Sequence, residues 1–142
     1  MATPSSKPVP SWFRIAAFVG LVWNAFGVAM FLSASGAFGD PTAGLSEAER
    51  AIAAKIPAWI MAAFGIGTFS GLVGSVGLLL ARRWAWPLLV ISLAALLVLE
   101  GYILVFSGAA AVSGVAIPIT VVIGALLLAW LARHASQRGW LR

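Results

Sequence analysis

The sequence predicts an all-α integral membrane protein: a four-helix transmembrane bundle with a short amphipathic helix in its first extramembrane loop. Three observations lead there. Of the 142 residues, 62% are hydrophobic and 9% charged, against roughly 45–50% and about 25% in soluble domains. The apolar residues gather into four runs, each near the roughly 20 helical residues that cross a hydrocarbon core of about 30 Å. The charges fall almost entirely between those runs. A soluble enzyme of this length could not cover such a composition with polar surface, so that class is excluded.

The first run covers 13–32 and is broken only by Arg14 and Asn24. Before it, residues 1–11 are rich in Pro and Ser and read as a flexible tail. Ser35-Gly36-Ala37 has the look of a small-residue cleavage site, but the apolar run exceeds the roughly 7–15 residues of a signal-peptide core. It is read as a retained span. In the following polar interval, Gly39-Asp40-Pro41 signals a turn. Ser46-Glu47-Ala48-Glu49 has the form of a capping box, in which the serine and the glutamate three residues on satisfy free backbone N–H groups. A short helix over 46–55 is expected, with Leu45, Ala48, Ile52 and Ile56 available for one apolar face. Its place is the membrane surface or the bundle mouth. Pro57 biases Ile56 out of helical geometry and ends it.

The second run, 57–81, holds Gly65, Gly67, Gly71, Gly74 and Gly77. Gly67, Gly71 and Gly74 share one face. Small residues let backbones approach closely in lipid, so this stripe predicts a tight helix–helix seam, with a substrate groove as the alternative. Arg82-Arg83-Trp84-Ala85-Trp86-Pro87 is too short to do anything but reverse the chain, which makes the third run, 87–106, antiparallel to the second. Ser107 to Gly114 reads as an uncharged turn. The fourth run covers 115–132, with Pro118 in its first turn, where proline is tolerated. Residues 133–142 read as a basic tail on an aqueous face.

Seven of the nine Lys and Arg residues (Lys7, Arg14, Arg82, Arg83, Arg133, Arg138, Arg142) fall on the side that carries both termini. Only Arg50 and Lys55 fall on the other. The positive-inside rule then places both termini in the cytoplasm. Arg14, Arg82, Arg83, Arg133 and Arg138 are accordingly read as topology and lipid head-group residues. The net charge of +5 is accounted for in this way; the expected partner is the lipid bilayer and not nucleic acid. Trp12, Trp59, Trp84, Trp86 and Trp130 all sit near run ends, as an interfacial aromatic belt requires.

Chemistry has little to work with. The chain has no Cys and one His, so disulfides, thiolate nucleophiles and a His-cluster metal site are excluded. There is no phosphate-cradling Gly loop, no Ser/His/Asp set and no pair of intramembrane acids. No enzyme activity and no cofactor is expected. The two helix pairs share no motif, so an inverted-repeat transporter is not indicated.

Glu100 is the exception, the one ionisable residue well inside a run. A charge at the bilayer centre costs about 2.5–3.5 kcal/mol, so Glu100 should face protein or water. Asn24, or Lys55 reaching in from the outer rim, is its expected partner. It is either a proton- or cation-coupling site or an acid bonded to a neighbouring helix. Asn24 itself, with Ala17, Gly20 and Gly27 on its face, suits an interhelical hydrogen bond in a packed seam. His134, beside Arg133, is expected to be solvated.

Pro57-Ala58-Trp59, Ala63-Phe64, Gly71 to Leu80, Arg82-Arg83-Trp84-Ala85-Trp86-Pro87 and Ser92-Leu93 resemble a group of small bacterial four-helix inner-membrane proteins. Trp23-Asn24 with Gly27 and the closing Arg138-Gly139-Trp140-Leu141-Arg142 fit the same group. Its members run to about 140–150 residues, a length that suits four spans with short loops, and are sometimes labelled sugar transporters. The resemblance implies a bacterial inner-membrane location and carries no catalytic residues. The glycine stripe and the scarcity of chemical groups point to a protein acting through helix–helix association, with itself or a larger membrane complex. The alternative is a small proton- or cation-coupled transporter using Glu100.

Overall fold

A computed structural model describes residues 7–142. Six helices follow in order: α1 (Ser11–Ala34), α2 (Glu47–Ala53), α3 (Ala58–Leu79), α4 (Ala85–Val105), α5 (Ala109–Ser113) and α6 (Ala116–Gln137). Among the described residues the chain is all-helical, and α1, α3, α4 and α6 are long and apolar enough to cross a membrane. Their outward faces carry large exposed apolar side chains such as Phe18, Phe69, Ile91 and Leu97. Such faces are stable only in lipid. The fold fits a multi-pass membrane protein.

The four spans are not packed as a closed ring. Helix α3 lies against both α4 and α1, and α6 packs on α4, whereas α1 and α6 meet at few points. The bundle is therefore open along one edge, between its first and last helices. Helix α3 can hold two neighbours because its buried face is mostly glycine, with Gly65, Gly67, Gly71, Gly74 and Gly77 all buried.

The capping box forms as the spacing predicts. The Ser46 hydroxyl accepts from the Glu49 N–H at 3.3 Å, and the Glu49 carboxylate accepts from the Ser46 N–H at 2.8 Å. These bonds satisfy N–H groups that the first helical turn leaves free. Helix α2 is shorter than expected, Glu47–Ala53, and none of its residues is buried. Ile52, Leu45 and Ile56 are half-buried, but Ala48 is exposed.

Two expectations need correction. Ser107 to Gly114 is not a plain turn: it holds the one-turn helix α5, flanked by Gly108 and Gly114 at positive φ. And 133–142 is not a solvated basic tail. Helix α6 runs on to Gln137, the chain reverses at Gly139, and Leu141 returns into the apolar core at 2% exposure. The polar sequence Arg133-His134 does not end the helix, and a basic residue near a helix C-terminus suits the helix dipole. The stop comes where the backbone can turn left-handed. Gly139 (φ 71°) supplies it, with the Trp140 N–H donating to Ala135 O and the Gly139 N–H to Ser136 O. That is the pattern of a Schellman cap.

The returning segment is pinned. The Arg142 N–H donates to Ala81 O at 2.7 Å and the Arg83 N–H to Arg142 O at 2.9 Å. At the same end, Val9 packs on the core formed by Phe13, Leu78, Ala85 and Leu131. The expected flexible tail over 1–11 is corrected at Val9, which packs on the core, and at Ser11, which begins α1, while residues 1–6 lie outside the described part. Trp12 and Trp140 meet edge to face at 5.8 Å, so the start of α1 lies beside the C-terminal segment.

Candidate functional site

The predicted site residues do not converge. Asn24 in α1 donates from Nδ2 to Gly20 O (2.9 Å) and across to Ser75 Oγ of α3 (3.2 Å). It is turned toward the middle of the α1–α3 contact, where a Cβ on Gly71 would overlap its Oδ1. Lys55 is exposed beyond the end of α2. Among the described residues, neither Asn24 nor Lys55 is hydrogen-bonded or ion-paired to Glu100. The expected partnership is not formed.

The glycine stripe is used up inside the chain. A Cβ on Gly67 would sit 2.8 Å from Leu96 Cδ2, and one on Gly74 would sit 2.7 Å from Leu89 Cγ, both in α4. Ser92 of α4 donates to Gly67 O at 2.6 Å, a bond open only because no side chain intervenes. In hydrocarbon such polar contacts add modestly to van der Waals packing. The seam therefore joins α3 to α4 and α1 and offers no face to another chain.

Glu100 faces the inside of the bundle, with Ser92 and Leu96 on the same face of α4 and also buried. It is 8% exposed, and no hydrogen bond or ion pair reaches its carboxyl among the described residues. Its carboxyl borders a cavity of about 610 Å³ between all four spans, in the half of the bundle that carries α2 and α5. Such a volume lies within the roughly 300–1,000 Å³ of sites that take drug-sized molecules. Trp23, Phe26, Met30, Phe64 and Ile103 are among its apolar lining residues. The open edge between α1 and α6 leads into it. Past Trp23 and Thr120, which line both, the same edge continues as a second, largely apolar groove of about 470 Å³ that includes Trp12 and Trp130.

The amide and hydroxyl side chains of the cavity are occupied. Thr68 donates to Phe64 O and Gly65 O, Thr120 donates to Ala116 O, and Asn24 is bonded as above. Glu100 and the Trp23 indole are left as the polar side chains of the wall without a hydrogen bond. No second ionisable group lines it from any of the four spans. Among the described residues no cluster of His, Cys, Asp and Glu could hold a metal ion.

Arg14, Arg82, Arg83, Arg133 and Arg138 are all exposed at the end of the bundle where α1 begins and the C-terminal segment docks. Arg83 has a further role that the sequence did not signal. Its Nε donates to Leu141 O at 3.4 Å, so it helps hold the C-terminal segment against the bundle. His134 is half-buried and stacks on Trp130 at 5.3 Å, with Trp12 and Trp140 nearby. It is an aromatic packing residue, not a solvated one. Comparison with known proteins found no family model, no curated protein and no solved structure that matches this chain.

Proposed function

We propose that the protein is a small bacterial inner-membrane carrier, with both termini cytoplasmic, that takes a solute into the cavity between its spans and exchanges a proton at Glu100. One observation carries this reading: a glutamate that is nine-tenths buried as a residue, its carboxyl without a protein partner, lining a ligand-sized cavity. A buried, unpaired acid is costly in an apolar wall. Exchange of a proton for a solute group gives it a use. The seven basic residues gathered at the end with the termini support the orientation, and the resemblance to small four-helix inner-membrane proteins supports the location.

The test uses dicyclohexylcarbodiimide, an apolar reagent that adds to protonated carboxyls within membranes. Purified protein should gain one reagent molecule, mapped to Glu100 by mass spectrometry. Labelling should fall as pH rises and vanish in Glu100→Gln. Absence of labelling at every pH, or labelling confined to Asp40, Glu47 and Glu49, overturns the proposal. Glu100→Asp, which keeps the acid, serves if the Gln variant does not fold.

A second reading keeps association, moved from the glycine seam to the open edge between α1 and α6. The unsealed contact of those two helices supports it, with a second copy as the occupant. The chain has no Cys, so Val19→Cys or Leu127→Cys on that edge should form disulfide dimers in membranes. A purely monomeric product sinks this reading.

A further inference from the structure

The kind of solute can be read from the cavity wall, on the premise that the cavity is the solute site proposed above. A sugar is poorly matched. Each of its hydroxyls needs a partner when removed from water, at roughly 1–3 kcal/mol for each one left unsatisfied. The donors of Asn24, Thr68 and Thr120 are already committed to protein acceptors, which leaves the Trp23 indole N–H and Glu100 for a molecule with several hydroxyls. An anion would meet the carboxylate with no cation to offset it. A neutral hydrocarbon would fill the wall yet leave Glu100 unpaired. A positive charge on an apolar body meets each of these demands at once. Aromatic faces attract cations, Trp most strongly, and more so where water is excluded. Trp23, Phe26 and Phe64 supply three aromatic side chains around the same space. The route suits it too, because the gap between α1 and α6 opens toward lipid, where a lipophilic cation dissolves.

We infer that the cavity takes a lipophilic monocation, its charge set against the Glu100 carboxylate and its apolar body against Trp23, Phe26 and Phe64, admitted from the bilayer between α1 and α6. Proton and cation compete for one carboxyl. The wall offers no other titratable or charged group, from α1, α3, α4 or α6, to share the charge.

The full-length protein in detergent is tested with tetraphenylphosphonium and with tetraphenylsilane, a neutral molecule of the same shape. Equilibrium dialysis should show saturable binding of one cation per chain, tightening as pH rises. Glu100→Gln should weaken it by about tenfold or more, as should replacing the cation with its neutral analogue. The cation should also protect Glu100 from the carbodiimide. Ala116→Trp, at an exposed wall position, should block binding by bulk while the protein stays folded. If the carbodiimide labels Glu100 but the cation neither binds nor protects, the cation class is overturned and the carrier reading stands. Equal binding of the neutral analogue overturns the cation class in the same way. If Glu100 is not labelled at all, the carrier reading falls and this inference with it.

Discussion

Asn24 reaches across to Ser75, not to Glu100: its Nδ2 donates to Ser75 Oγ at 3.2 Å while also holding Gly20 O of its own helix. The amide thus ties α1 to α3 at mid-span, and Gly71 makes room for it. Asn24 lies level with Ser92, since both meet the Cβ position of Gly71, whereas Glu100 lies eight residues further along α4, about 12 Å at 1.5 Å per residue. Asn24 is spent on packing, and Glu100 is left facing the cavity.

That separation makes Gly71→Ala a sharp test of the packing. The added methyl would overlap Asn24 Oδ1 and come within 2.8 Å of Ser92 Oγ. Overpacking of this kind costs about 1–3 kcal/mol, so thermal unfolding in detergent should occur at clearly lower temperature. Gly101→Ala is the control, since nothing lies within 4 Å of its Cβ position. It should be neutral or gain up to about 1 kcal/mol from helix propensity.

Ala81 carries strain that glycine would relieve. It sits at φ 54°, the left-handed region, where the Ala81 N–H donates to Leu78 O and the Arg82 N–H to Gly77 O. Those bonds make the same helix stop as at Gly139, built on a residue with a Cβ. The left-handed conformation costs an L-residue roughly 1–2 kcal/mol, offset in part by the extra freedom glycine has when unfolded. Ala81→Gly should raise thermal stability modestly. A fall would show that Cβ packing at this site outweighs the strain.

The C-terminal segment should behave as part of the core. Leu141→Ala removes a side chain buried beside Phe13 and Ala135, a change of the class that costs about 2–5 kcal/mol. Amide exchange at Arg83 and Arg142, whose N–H groups hold the segment in place, should speed up strongly. Unchanged protection at both would contradict the packing described.

The first loop should respond to acid. Hydrogen bonds from the Ser46 backbone and side chain hold Glu49 below the usual carboxylate range, and the Thr42 hydroxyl and N–H do the same for Asp40. A carboxyl whose folded value is depressed lends stability above its unfolded value and loses it as pH falls through the folded one. Loop and α2 amides should therefore gain exchange protection as pH rises past about 4 once intrinsic exchange is factored out, with the spans unaffected. Glu49→Gln should remove most of the dependence at α2.

How much is legible in the sequence follows from what each signal reports. Span number, the capping box at Ser46 and the sorting of basic residues are local or compositional, and they are readable. Helix ends are less so. A change from apolar to polar suggests that the last helix stops there, whereas the stop requires a left-handed residue, and Gly139 is the available signal. Ala81 offers none, because alanine seldom takes that role.

The site divides in the same way. That Glu100 would be exceptional was dictated by the sequence alone, since one acid in an apolar run has to be buried or hydrated at some cost. What it faces was decided by tertiary structure. Helical spacing gives the face a residue shares but not which neighbour that face meets. The order in which the spans pack decides that: α3 between α1 and α4, and α6 beyond α4. Close approach at glycine draws α1 and α4 onto α3, and α1 and α6 are left apart. The cavity that Glu100 borders lies among the four spans and reaches that gap at Phe26, Met30 and Ile117.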